Sequence, residues 1–176
     1  MRPHLFVDET KSRGYLMIMA CVLPEDLVSA RSELRKLLLP NQRKIHFTSE
    51  RDSRRRFIIT QMIKIGVTAT IYAAPPGIHE LAARQACLRE LALDARHRNA
   101  EMLVIERDDS TLEHDRRTLF ESLGSARHVD AARYEHRRPH EESLLWLPDA
   151  IAWCWSKGGS WRERVQDAVT EVVNVV

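Results

Sequence analysis

The sequence predicts one α/β domain: a mixed sheet with an N-terminal antiparallel hairpin plus later strands, flanked by helices. Two apolar segments open the chain with a short polar turn between them. After them, helical and strand-like periodicities alternate, the pattern of a mostly parallel or mixed sheet with helices on its faces. The 176 residues, 44% hydrophobic and 30% charged, contain no internal repeat and no linker, so residues 1–176 form a single domain with a sizeable core.

Residues 4–8 form a short strand that stops at a carboxylate, 9–14 are polar and turn-like, and 15–22 are a continuous apolar run as in a buried strand. These two strands pair as a hairpin. Pro24 opens a helix with Leu27, Ala30, Leu34, Leu37 and Leu38 at helical spacing, and Pro40 closes it. A second helix covers 50–65 and ends at Gly66. Residues 67–73 alternate and are rich in β-branched residues, so they form a strand. The Pro75-Pro76-Gly77 turn precedes a long helix over 78–98. Residues 102–106 are a buried strand ending in a carboxylate, 111–123 are helical, and 129–136 are a weaker strand. Residues 144–155 form an apolar helix. Trp161, Val165, Ala168, Val169, Val172, Val173 and Val176 mark a final amphipathic helix.

Composition narrows the function classes. Cys21, Cys87 and Cys154 are odd in number, far apart and in no C-x-x-C pair, so a disulfide framework or a zinc site is not expected and a reducing compartment fits. The N-terminus lacks an apolar signal core and the longest apolar stretches fall short of a membrane span. The cytoplasm is the expected compartment, with no membrane partner. Six glycines and no Gly-rich phosphate loop argue against a nucleotide-binding ATPase, and no nucleophile elbow supports a serine or cysteine hydrolase. Only five of the 27 cationic residues are lysine. Arginine suits bidentate phosphate contacts, and a genome rich in G and C enriches it as well.

Three acids stand where acids are least expected. Asp8 and Glu106 each end an apolar strand, and Asp149 is the one charged residue in an apolar helix. An ionised carboxylate in such surroundings is costly without a partner charge or a metal, and strand ends are where ligands collect in α/β sheets. Taken singly, Asp8 is also a plausible turn acid, Glu106 a partner for Arg107, and Asp149 a complement to a helix N-terminus. Brought together they would form a hard-oxygen cage for Mg2+ or Mn2+. Two such ions about 4 Å apart can clamp a phosphodiester displacement by a metal-activated water.

Several segments in order also carry a resemblance: F-V-D-E-T (Phe6 to Thr10), the apolar strand after it, H-F-T-S-E (His46 to Glu50), V-I-E-R-D (Val104 to Asp108) and L-P-D-A-I-A-W (Leu147 to Trp153). The chain resembles, over about residues 4–156, a widespread bacterial family of uncharacterised proteins catalogued as a domain of unknown function and regarded as ribonuclease H-like. The resemblance implies metal-binding acids from the first strand, a later central strand and a C-terminal helix, which match Asp8, Glu106 and Asp149 by position. The family often has aspartate at the second strand end, whereas this chain has Glu106 followed by Arg107-Asp108-Asp109, so either Glu106 or Asp108 fills that role. A glycine usual soon after the first acid pair is replaced by Thr10-Lys11-Ser12, and the resemblance stops before the final helix.

Other residues have two readings each. Glu9 would point to the opposite face from Asp8 and reads as a surface acid. His46 is the strongest histidine candidate, for proton transfer or a metal-adjacent contact. Glu50 reads as a helix-capping acid rather than a fourth carboxylate, and Glu113, His114 and Asp115 as helix surface. The stretch 127–140, with four arginines and three histidines, and the cluster Arg51, Arg54, Arg55 and Arg56 could contact a nucleic-acid backbone or simply face solvent. Trp146, Trp153, Trp155 and Trp161 read as core packing or a self-association face, which would make a homo-oligomer.

The expected function is therefore a divalent-metal-dependent nuclease or related phosphoryl-transfer hydrolase acting on RNA or DNA. Its expected catalytic residues are Asp8, Glu106, Asp149 and His46, and its expected metal ligands Asp8, Glu106, Asp108 and Asp149. The alternative is a non-catalytic ribonuclease H-like module for binding or assembly.

Overall fold

The computed structural model describes residues 1–123 and 132–176. Its strands are β1 (His4–Thr10), β2 (Leu16–Val22), β3 (Thr68–Ala73), β4 (Met102–Glu106), β5 (Arg133–Arg137) and β6 (Val169–Asn174). Its helices are α1 (Leu27–Arg35), α2 (Asp52–Lys64), α3 (Glu80–His97), α4 (Leu112–Leu123), α5 (Trp146–Lys157) and the single turn α6 (Ser160–Glu163). The strands form one mixed sheet in the order β5-β4-β1-β2-β3-β6. β1, β2 and β3 pair antiparallel, while β4 runs parallel to β1, β5 to β4, and β6 to β3. This is the mixed sheet with an N-terminal hairpin and flanking helices that the sequence predicts. Among the described residues no helix is long and apolar enough to cross a membrane.

The sheet is covered on both faces, and strand alternation sorts the residues between them. Phe6, Ile18, Ala20, Ile71 and Val104 face a core built with α1, α2 and α5. Leu5, Val7, Met17, Met19, Leu103 and Ile105 face a second core built with α3 and α4. The site depends on this sorting. Asp8 follows the face of Phe6, and Glu106 follows the face of Val104, so both acids belong to the side that carries α5. Glu9 falls on the α3 side.

Helix ends follow local chemistry. His79 accepts the Leu81 N–H at the start of α3 at 3.3 Å, and Gly66 takes φ +80° directly after the last residues of α2, a left-handed conformation that glycine adopts without penalty. Cys87 and Cys154 are buried with free thiols pushed up to about 12 by loss of solvent, which makes them inert core residues.

Four expectations are corrected. The final helix is replaced by the short turn α6 and the strand β6, which pairs parallel with β3. The spacing of Val169, Val172, Val173 and Val176 satisfies a helix, but the outer edge of β3 offers unpaired backbone groups, and β-branched valines are stiff in a way that suits a strand. β1 does not stop at Asp8 but runs two residues further, held by Glu9 and Thr10 opposite Met17 and Leu16. Glu9 and Asp115 are not surface acids, as described below. Glu50 is neither a free cap nor a fourth carboxylate: Arg54 binds it at 2.9 Å and Gln42 donates to it at 2.7 Å. The weaker strand over 129–136 appears as β5; its first three residues lie outside the described ones.

Candidate metal and catalytic site

Asp8, Glu106 and Asp149 line one cleft of about 690 Å³ at the carboxyl ends of β1 and β4 and the first turn of α5. Val7 and Ile105 are paired neighbours in the parallel ladder, and each acid is the next residue along its strand. Asp149 reaches the same cleft because α5 packs across β1 and β2. His46 and Asp108 are also in its wall, with Glu9, Lys44, Asp109 and Trp153.

Each carboxylate is held differently. Asp8 takes the Glu9 backbone N–H at 2.7 Å and shares a hydrogen bond with Glu106. Its surface is only half-buried, yet protein surrounds the carboxyl group on the cleft floor. Burial, followed by the charges of Glu106 and Asp149, raises its pKa well above the usual 3.8. Burial and Asp149 likewise raise Glu106. Asp149 accepts the Phe47 N–H at 3.0 Å and stands 3.7 Å from His46 Nδ1; that carboxylate raises the imidazole's pKa against the opposing effect of burial. The segment carrying His46 is clamped by Arg55, whose Nε donates to the Phe47 carbonyl at 2.9 Å. Asp108 is engaged in its own turn, accepting from the Ser110 hydroxyl at 2.6 Å and N–H at 2.9 Å, which lowers its pKa.

The cleft therefore has a surplus of negative charge that no arginine neutralises by direct contact with Asp8, Glu106 or Asp149 among the described residues. Backbone N–H groups occupy one oxygen of Asp8 and one of Asp149, which orients both carboxylates. No group of three or more His, Cys, Asp or Glu side chains among the described residues is arranged to hold a metal ion as it stands. The donor chemistry nonetheless fits a hard divalent cation: carboxylate oxygens only, in a water-accessible cleft. The side chains would have to draw together around it.

This electrostatic arrangement sets the pH dependence of stability. Asp8 and Glu106 keep their protons to higher pH in the folded chain than in the unfolded one, because burial and neighbouring carboxylates raise both pKa values. Their contribution is fully present below the ordinary carboxylate range and is lost as pH rises through the raised values. Without divalent ions, the pair's contribution to thermal stability should fall as pH rises above the ordinary carboxylate range, and Asp8→Asn should flatten the fall and melt higher than wild type at the upper end. Identical melting profiles for the two proteins would contradict this. Asp115, held low by its partners, acts with the opposite sign at more acidic pH.

On the other face of the sheet lies a network that sequence reasoning missed. Arg84, only 2% exposed, donates through Nε and Nη2 to both oxygens of Asp115 at 2.7 and 2.8 Å. Its Nη1 contacts Glu9 and the Tyr15 hydroxyl. His136 Nε2 is 3.1 Å from Asp115, which is itself 1% exposed. Burial works against the charge on Asp115, but the hydrogen bonds from Arg84 and His136 outweigh it and keep the carboxyl below the usual range. The network ties β1, one residue past Asp8, to α3, α4 and β5. A signal was present: Arg84 falls in line with Cys87, Leu88, Leu91 and Ala95 on the buried stripe of α3.

The basic segments divide in the same way. Arg133, Arg137 and Arg138 of the 127–140 stretch are each paired with a carboxylate, Glu101, Glu135 and Asp109 respectively. Arg127, His128 and Asp130 lie outside the described residues. Trp146 and Trp161 are buried, while Trp153 and Trp155 are half-buried against arginines.

No family model and no curated protein matches this chain. Among solved structures, it is similar to a chain of the complex of PCNA with RNase HII from Archaeoglobus fulgidus. The TM-score is 0.60 at 16% sequence identity, covering 94% of this chain and 77% of that one. At that identity the likeness speaks for the fold. With the strand order and the covered mixed sheet, it identifies the architecture of this protein as a ribonuclease H-like fold.

Proposed function

We propose that this protein is a divalent-metal-dependent nuclease or related phosphoryl-transfer enzyme that cleaves nucleic-acid phosphodiesters. The observation that carries the reading is the meeting of Asp8, Glu106 and Asp149, from three elements far apart in sequence, in one cleft where no arginine among the described residues pairs with them and where burial and neighbouring carboxylates raise the pKa of Asp8 and Glu106. Carboxylates crowded in a cleft with no arginine in contact make a poor structural feature and a good cation site. The ribonuclease H-like fold supports the same reading.

In it, Asp8, Glu106 and Asp149 hold Mg2+ or Mn2+, with Asp108 on the rim as the further ligand candidate. The cation would supply charge neutralisation at the phosphate and a lowered pKa for the attacking water. The chain's own residues do the rest. The backbone N–H of Glu9 and of Phe47 fix the carboxylates on which positioning depends. His46, exposed at the cleft mouth and kept basic by Asp149, is placed to give or take a proton at the departing oxygen. Lys44 brings positive charge to the wall where an anionic substrate would enter.

Metal titration tests this. Mn2+ at millimolar concentration should raise the melting temperature and release protons from the cleft, and the Asp8→Asn and Asp149→Asn variants should lose that response. The second reading, a ribonuclease H-like module without catalysis, draws on the lack of a ready-formed ion cage among the described residues. A protein that binds nucleic acid but gives no metal response would favour it.

A further inference from the structure

The cations of this chain fall into two classes. Many arginines are neutralised locally, as Arg31 is by Glu142 and Arg98 by Asp94. Others, such as Arg35, Arg43 and Arg89, are exposed without a carboxylate in ion-pair distance among the described residues, and of these Arg56, Lys157 and Arg164 are set apart by lying together over aromatic rings. They gather on two touching aromatic rings. Trp153 and Trp161 meet edge to face with centroids 5.1 Å apart. Arg56 and Arg164 lie over Trp161 at 5.5 and 5.9 Å, and Lys157 over Trp153 at 5.9 Å. Arg13 approaches the same corner: its Nη1 is 3.8 Å from where a side chain on Gly158 would begin.

Trp153 also lines the carboxylate cleft, so this cationic corner begins at the cleft and leads away from it. Collecting like charges without an anion is unfavourable, and nothing in the fold uses them: the tryptophans are already anchored in the core by Phe47 and by each other. The rings are occupied as well. Arg55 stacks on Trp153 at 4.4 Å beside Lys157, and two guanidinium groups share Trp161. Cations therefore already sit over both rings. What the rings do is hold cations in place, and ordered exposed guanidinium groups recognise phosphate.

We propose that Arg56, Lys157 and Arg164, steadied by Trp153 and Trp161, form a track that binds the phosphates of a nucleic-acid strand leading out of the cleft. The proposal rests on the nuclease reading for its ligand class. The track reads backbone rather than sequence, because its contacts are to charge. The ring-held set on α2 and at the end of α5 and α6, rather than the ion-paired stretch around β5, carries the proposed contact.

The test is binding without catalysis. Fluorescence anisotropy of a labelled single-stranded RNA and of a DNA of the same sequence, in EDTA and across a salt series, gives the affinity and its salt slope for the full chain. The R56Q/K157Q/R164Q variant should bind on the order of tenfold more weakly at low salt, with the slope reduced by about 2 (roughly 0.7 per lost phosphate contact). An R116Q/R117Q control on α4 should match wild type, and the circular dichroism melts of both variants should report a folded protein. Loss in both arms assigns the track to the shared backbone, and loss in one arm assigns it to that polymer. An unchanged slope in the triple variant overturns the proposal, as does equal, equally sensitive binding of poly-glutamate. Because no divalent ion is present, a failed metal response would sink the catalytic reading and leave this one standing, and the reverse holds.

Discussion

The Asp149→Asn protein is expected to cleave nucleic acid at least about a hundredfold to a thousandfold more slowly than wild type, the scale seen when one preorganised electrostatic group is removed from a site. It should also remain fully folded. The asparagine carbonyl can still accept the Phe47 N–H that Asp149 accepts at 3.0 Å, so the segment carrying His46 keeps its anchor. Removing the charge relieves repulsion on Asp8 and Glu106, whose carboxyl groups it raises. The melting temperature without divalent ions should therefore stay level or rise while activity disappears. That pairing separates a ligand from a structural acid, whose loss would lower both. Cleavage at the wild-type rate by a rigorously purified variant would remove Asp149 from the site. The imidazole of His46 should meanwhile lose the pull that raises its pKa, a change visible by NMR titration.

Arg84→Met is expected to produce the largest loss of stability in the molecule, about 3–5 kcal/mol, because it leaves Asp115 buried with its main counter-charge gone. For a chain of this size that corresponds to a fall in melting temperature of roughly 6–20 °C. The loss should be worst near neutral pH, where Asp115 is charged, and milder in acid, where protonation removes the buried charge. Arg84→Met combined with Asp115→Leu should recover much of it, since replacing a buried pair with apolar groups is often close to neutral. A double variant no more stable than the single one would show that the network matters through Glu9 and Tyr15 instead. The consequence reaches the site, because Glu9 holds the strand end next to Asp8.

The acids of the cleft were legible because each breaks a local pattern. Asp8 and Glu106 follow directly on apolar strands, and Asp149 interrupts a helix of Leu, Trp, Ala, Ile and Cys. Glu9, Arg84, Asp115 and His136 were harder to read. Asp115 follows Glu113 and His114 and looks like one more solvated helix charge, and only its spacing to Thr118 and Leu119 marks the buried stripe. The cationic corner was half legible: Arg56 belongs to a visible cluster, but its company with Lys157 and Arg164 required two helices and two tryptophans to meet.

By itself the sequence determined the order and kind of nearly every element and the three places where a carboxylate would be out of character. Those are properties of period and propensity, written within a few residues of chain. The structure alone decided that the acids share a cleft, that Arg84 is spent on Asp115 and Glu9, and that residues 169–174 become an edge strand. Each of these depends on which surfaces come into contact. An open edge on β3 supplies hydrogen-bond partners to a valine-rich tail, and burial turns an ordinary charge into one that must find its opposite.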